Sequence, residues 1–478
     1  MPQIPGFCGP AYLSRSPNVA ADRCINLYAE RTEVPGGTPA YALSSVPGLR
    51  RYAVLPGPGG GRGLYTASGG RAFAVMGRTL YEVFAGGTSL ERGTLASSTG
   101  HVSMADNGVD LVVVDGQPQG GWSLRLADNT WRAITHAGFY GATQVHFFDG
   151  FFVFNEPGTQ QVYLSALYDA VTFDALDFAS AEASPDLVVG HLVHRREWKI
   201  FGTRSGETWF NAGSPLFPFQ PIAGTSGTDG LAAPFSLTAC GESVYWLSRN
   251  AEGHGMVLRS QGYQAVRVST HAIETAIQGY ARLDDAVAYT EQRDGHLFYV
   301  LSFPTGNATW VYDAATGWWH QRAELDAATG ALMRSRVQYH CVAFGLHLSL
   351  GDQDGRVYHS DPTFYANDTD PLVRERVAPH LRSTDRGLLY YSLVELDMQR
   401  GVGLDGGAEP GTTPQVMLRY SDDGGHTWSH ERWVSAGAQG QYTWRAVWRR
   451  LGRSRDRVVC VRITDPVYVA LIGARFSV

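Results

Sequence analysis

The stretch that decides the fold runs from Asp284 to Arg322: DDAVAYTEQRDGHLFYVLSFPTGNATWVYDAATGWWHQR. Asp294-Gly295 sits between two runs of alternating apolar and polar residues, the strongest short-range signal for a two-residue β-hairpin. A further strand pair follows, and Trp318 and Trp319 come directly after its turn, where at least one is expected to pack between sheets. The same plan recurs along the chain. GLYTASGGRAFAVMGRTLYEV (63–83), HVSMADNGVDLVVVDG (101–116), QVHFFDGFFVFNEPGTQQVYLSAL (144–167, turning at Asp149-Gly150) and YHCVAFGLHLSLGDQDGRVYHSD (339–361, turning at Asp354-Gly355) are further cases. Units that recur at roughly 45–55 residues are the signature of β-propeller blades. Such a blade cannot bury both faces alone, so neighbouring blades must stack. Six or seven blades fill residues 46–361, and the fold class is all-β.

Composition agrees. The chain has 478 residues with Gly 56, Pro 23 and 12% aromatics, the mixture of many short strands joined by turns. That length suits two or three domains. No run of 18 apolar residues suggests a membrane span, and the first residues lack the apolar core of a signal peptide. Cys8, Cys24, Cys240, Cys341 and Cys460 are scattered and odd in number, so neither a zinc site nor a disulfide framework is expected, and synthesis in a reducing cytoplasm is the simplest reading.

Helical signal is scarce. Ser269–Tyr280 is the best candidate, with Thr270 as cap and Ile273 and Ile277 on one face. Residues 1–45, punctuated by Pro2, Pro5, Pro10, Pro17, Pro35 and Pro39, read as an extended N-terminal arm with one strand, Cys24–Glu30. Pro362, Pro371 and Pro379 mark residues 362–380 as a linker. Beyond it, long alternating strands make residues 381–478 a separate β-sandwich-like domain. A loop containing Asp169, Asp174, Asp177, Glu182 and Asp186 is acidic but lacks EF-hand spacing, which favours a solvated loop over a calcium site.

Two features carry candidate function. Ser421, Asp423, Gly425, Thr427 and Trp428 form S-x-D-x-G-x-T-W, which resembles the Asp box of sialidase propellers. Its physics is that of a turn: the Asp423 carboxylate accepts nearby backbone N–H groups and Trp428 folds under the hairpin. A sialidase would repeat the box through its blades and carry an early Arg-Ile-Pro phrase; this chain has one good match and no such phrase. No P-loop, metal motif or nucleophile elbow appears. No catalytic, cofactor or metal residues are therefore assigned, and glycosidase or glycan-binding adhesin stands as the alternative class.

The second feature is charge. Net charge is -6, yet Arg432–Arg462 holds eight Arg and one Asp, and Lys199 is the only lysine. Arg445, Arg449, Arg450, Arg453, Arg455 and Arg457 surround Trp444 and Trp448, and strand alternation puts both tryptophans inward. Such a strip is a solvated sheet face, a contact for an acidic protein, or a contact for DNA.

The order of these phrases (INLYAE, SSVPGLRRY, RGLYTASGGRAFAVMGRTLYEV, HVSMADNG, then SDDGGHTWSHERWV and YTWRAVWRRLGRSRDRVVCVRI) resembles the packaged DNA stabilisation proteins of P22-like short-tailed bacteriophages. The resemblance implies a non-enzymatic tail hub subunit of the virion, at the head–tail junction. It further implies a homo-hexameric ring below the portal-attached adaptor ring, which retains packaged DNA, touches that DNA transiently and carries the tail needle and tail fibres or spikes.

Overall fold

Each Asp-Gly turn folds the chain back on itself for a local reason. At Asp294 (φ 51°) and Gly295 (φ 81°) both central residues take the left-handed conformation that a two-residue hairpin requires, and Arg293 pairs with His296 across it. In the computed structural model, which describes all residues except 33–40, 118–119, 182–184, 216, 327 and 407–408, such hairpins build seven four-stranded antiparallel blades. Pro35 and Pro39 of the expected arm and Glu182 of the acidic loop lie outside the described residues.

Blades 1 to 6 occupy residues 61–94, 103–133, 145–180, 188–221, 238–267 and 287–321. Blade 7 joins three strands within 337–361 to Gly48–Val54, which pairs with Arg356–Asp361 as its outer strand. The ring is thus closed by a strand from the beginning of the chain, and the inner strand of blade 7 lies beside that of blade 1. The expected acidic loop is partly ordered structure: Phe178–Ser180 is the outer strand of blade 3.

Strand alternation distributes the core. In His296–Phe303, Tyr299, Leu301 and Phe303 face the cluster shared with blade 5, while Phe298 and Val300 face the opposite side with Tyr289 and Val311. Trp319 joins the blade 5 cluster, its indole N–H donating to the Val268 carbonyl at 2.9 Å, whereas Trp318 stacks on Tyr41. The helix spans His271–Gln278, capped by Thr270, with Ile273 and Ile277 buried.

The second body is a sandwich of two sheets, and here the structure corrects the expected boundaries. One sheet runs, in spatial order, Leu27–Arg31, Tyr41–Ser45, Ala470–Ser477, Leu393–Met398, Ala446–Arg449. The other runs Ala21–Ile25, Arg374–Val377, Asp456–Ile463, Gln415–Ser421, Arg432–Ser435. Of the residues expected as an N-terminal arm, Ala21–Ile25, Leu27–Arg31 and Tyr41–Ser45 are strands of this sandwich rather than a free segment. The expected linker supplies Arg374–Val377, a central strand whose Arg374, Glu375 and Arg376 are at most 1% exposed. These charges are tolerated in the interior because each finds partners. Glu375 meets Arg23, Arg419 and Arg462 at 2.6–3.3 Å. Arg376 donates to the carbonyls of Gly6, Phe7, Pro10 and Arg23.

Propeller and sandwich share a sheet. The outer strand of blade 6 meets Ala21–Ile25 through an Ile25–Gln321 bridge. Beside it the buried Asn26 (φ 53°) donates to the carbonyls of Ala323 and Val373 and accepts from the Ala323 N–H. One amide side chain thereby ties the N-terminal segment, the propeller and the Arg374 strand together.

Candidate interaction site on the sandwich

The Asp box forms the connection between Gln415–Ser421 and Arg432–Ser435, which pair antiparallel at the edge of the second sheet. It therefore lies on the sandwich and not on a blade. Ser421 Oγ donates to Asp423 Oδ1 at 2.6 Å and accepts the Gly425 N–H at 2.7 Å. The Asp423 carboxylate accepts the Thr427 N–H at 2.9 Å and the Thr427 hydroxyl at 2.6 Å. Trp428 packs on Ala21, Val377, Val458 and Cys460, with the Arg419 guanidinium 4.9 Å from its ring centre. The Ser421 hydroxyl, the Asp423 carboxylate and the Thr427 hydroxyl are all spent on the turn.

The hydrogen bonds from Ser421 and Thr427 hold the Asp423 carboxyl far below the ordinary carboxylate range. A carboxylate with a depressed folded pKa contributes stability above its unfolded value of about 3.9, and that contribution is lost as pH falls. Asp423→Ala is expected to speed hydrogen exchange at the Gly425 and Thr427 amides severalfold at pH 7, with little change in the global unfolding midpoint. The difference from wild type should shrink in acid. Exchange measured residue by residue at two pH values checks this.

The six arginines of the basic strip divide by environment. Arg457 is 1% exposed and is removed from the candidates. It makes a two-pronged ion pair with Asp422 at 2.6 and 2.7 Å, donates to the Leu451 carbonyl, and lies between Tyr391 and Tyr420 with its guanidinium 4.4 and 4.0 Å from their ring centres. Arg445 is exposed but clamped to Glu395, whose carboxyl those bonds hold below its ordinary range. Arg449, Arg450, Arg453 and Arg455 are exposed and form no ion pair among the described residues.

Trp448 packs in the sandwich core as alternation predicts, but Trp444 is 43% exposed. The strand begins only at Ala446, so alternation does not reach Trp444. Instead its indole N–H donates to the Ser435 carbonyl.

The sequence pattern missed the neighbours that complete this edge. Leu389–Tyr390 pairs with Arg453–Ser454 as a two-stranded ribbon, and Tyr390, 60% exposed, receives a hydrogen bond from the Arg453 guanidinium. Arg386, a further cation without an ion pair among the described residues, accepts the Arg455 guanidinium on its backbone carbonyl. Pairing with a strand some sixty residues distant leaves no local signal.

Among the described residues, no group of three or more His, Cys, Asp or Glu is arranged to hold a metal ion. None of their helices is long and apolar enough to cross a membrane.

The chain is a seven-bladed propeller fused through a shared sheet to a sandwich, with the polar side chains of its one conspicuous motif bound within a turn. The chain belongs to the bacteriophage P22 Gp10 family: the model of that family's β-propeller matches residues 3–363, and the model of its β-sandwich matches residues 373–478. It is a structural protein of the phage tail with a DNA-stabilising role, placed at the head–tail junction of the virion.

No curated protein matches the sequence. Among solved structures, the chain is similar to YCF48 from Cyanidioschyzon merolae (15% identity, TM-score 0.43, 66% of this chain and 99% of that one). It is also similar to the WD40 β-propeller domain of Doa1 (11%, 0.40, 65% and 97%). The extracellular domain of BT4673 from B. thetaiotaomicron is matched over 66% of this chain but 40% of its own length (9%, 0.44).

Proposed function

We propose that this protein forms a homo-hexameric ring beneath the portal-attached adaptor ring. There it closes the channel on the packaged genome and carries the tail needle and tail fibres or spikes. Membership of the family supports the setting, and the edge bearing Arg449, Arg450, Arg453 and Arg455 is the observation that carries the assembly reading. The chain neutralises many of its other arginines internally, yet leaves these four exposed at one edge of the sandwich, a surface suited to an acidic partner.

Protein is favoured over DNA as that partner. A channel that DNA must leave quickly gains little from phosphate contacts, each of which adds salt-dependent attraction. Tyr390 beside the arginines suits a protein contact equally well.

Reversing Arg449 and Arg453 to Glu is expected to lower attachment to DNA-filled, tailless heads by about tenfold or more at physiological salt while the fold is retained. Co-sedimentation measures it. Unchanged attachment, together with lost affinity for free duplex, would assign the strip to DNA.

A further inference from the structure

We infer that the arginine edge of the sandwich docks on blade 3 of a neighbouring copy of this chain, against the exposed face built by residues 167–178. The inference rests on the ring reading above and names its subunit contact.

Three observations on the molecule carry it. First, the segment that leads into the outer strand of blade 3 is rich in exposed apolar side chains: Leu167, Tyr168, Leu176 and Phe178 are 57%, 67%, 78% and 41% exposed. A soluble surface seldom leaves so many large apolar side chains uncovered together unless something binds there.

Second, the face is acidic in a way the chain itself does not answer. Asp169, Asp174 and Asp177 form no ion pair among the described residues. Among the described residues, Asp169 and Asp174 accept only local bonds from their own turns. The sandwich edge is the complement in both respects, with unpaired arginines around the exposed Tyr390 and Leu388.

Third, the two patches lie on different bodies of the molecule, one on the sandwich and one on the propeller. The sandwich is joined at blade 6 through Ile25 and Gln321, and its strand Tyr41–Ser45 runs almost directly into Gly48–Val54 of blade 7. In a seven-bladed ring, blade 3 stands three places from both. Two different, complementary patches make a head-to-tail contact, the kind that closes into a ring when the rotation between copies permits.

The test uses full-length chain added to DNA-filled, tailless heads. Asp174→Arg with Asp177→Arg is expected to reduce the copies retained per head by about tenfold. Adding Arg453→Asp and Arg455→Asp to the same chain should restore retention. Each variant's urea midpoint checks its fold. In parallel, Asp174→Cys combined with Arg453→Cys, treated on the head with copper–phenanthroline and oxygen as the oxidant, should give chains linked to one another by disulfide, read on a non-reducing gel, so the contact is testable even if a charge variant folds poorly. Heads that hold wild-type protein only as single copies would overturn the ring and this contact together. Rings that form normally with the acidic pair reversed, a quadruple variant that stays defective, or cysteines that never cross-link would overturn this contact alone.

Discussion

Replacing Arg376 with alanine is expected to destabilise the sandwich by about 3–5 kcal/mol and to release the N-terminal segment. The guanidinium is fully buried and donates to four backbone carbonyls, those of Gly6, Phe7, Pro10 and Arg23, at 2.6–3.4 Å, with Asp22 at 3.9 Å. Truncation opens a cavity and takes the donor from the Phe7 carbonyl, whose bond is buried, and an unmet buried acceptor costs more than an ordinary hydrogen bond contributes. Arg376→Lys keeps the charge but loses the planar fork, so an intermediate loss is expected. Urea unfolding gives the stability. Trypsin gives the release: the exposed Arg15, which precedes the strand held by Arg376, should be cut faster in the variant. A wild-type midpoint with an unaltered digestion pattern would show that the carbonyl cage does not hold the segment.

Glu291→Gln should cost the propeller a comparable amount, about 3–5 kcal/mol at pH 7. Glu291 is 3% exposed on the inner strand of blade 6, which lies against the inner strand of blade 7, and it pairs with Arg293 at 2.8 Å and Arg322 at 2.9 Å. Both arginines are themselves largely buried, so the substitution leaves two cations facing a neutral amide. Burial pushes the Glu291 carboxyl up, but the Arg322 and Arg293 guanidiniums outweigh it and hold the carboxyl well below the usual range. The folded pKa is therefore depressed. The stabilisation is fully present above the unfolded value of about 4.3 and is lost as pH falls toward the folded one. Urea midpoints of wild type and variant should differ most at neutral pH and converge in acid; a gap that does not narrow below pH 4 would exclude the ion pairs as its source.

What could be read from the residues and what could not follow the range of the interactions involved. Asp294-Gly295 and Asp149-Gly150 specify hairpins within a few residues, and alternation about them places Tyr299 and Leu301 on one face and Val300 on the other. The blades and their repeat were legible for that reason, as was the short helix with its Thr270 cap. The density of arginine near the C-terminus was legible too, and it pointed to the edge where Arg449 and Arg453 stand exposed. Which of those arginines is free was not. Arg457 and Arg455 are two residues apart, yet one is buried against Asp422 and two tyrosines while the other is open to solvent.

Local patterning specified an all-β chain of stacked blades followed by a sandwich, and a turn-forming use of Ser421, Asp423 and Thr427. Long-range pairing alone puts Ala21–Ile25, Leu27–Arg31 and Tyr41–Ser45 in that sandwich, makes Arg374–Val377 a central strand and closes the propeller with Gly48–Val54. Each of those depends on pairing across hundreds of residues, as between Cys24 and Arg376 or Arg50 and His359. A strand whose partner is remote carries no periodic mark of it. Charged residues flanked by prolines look like a linker until the carbonyls and carboxylates that satisfy them are folded around them.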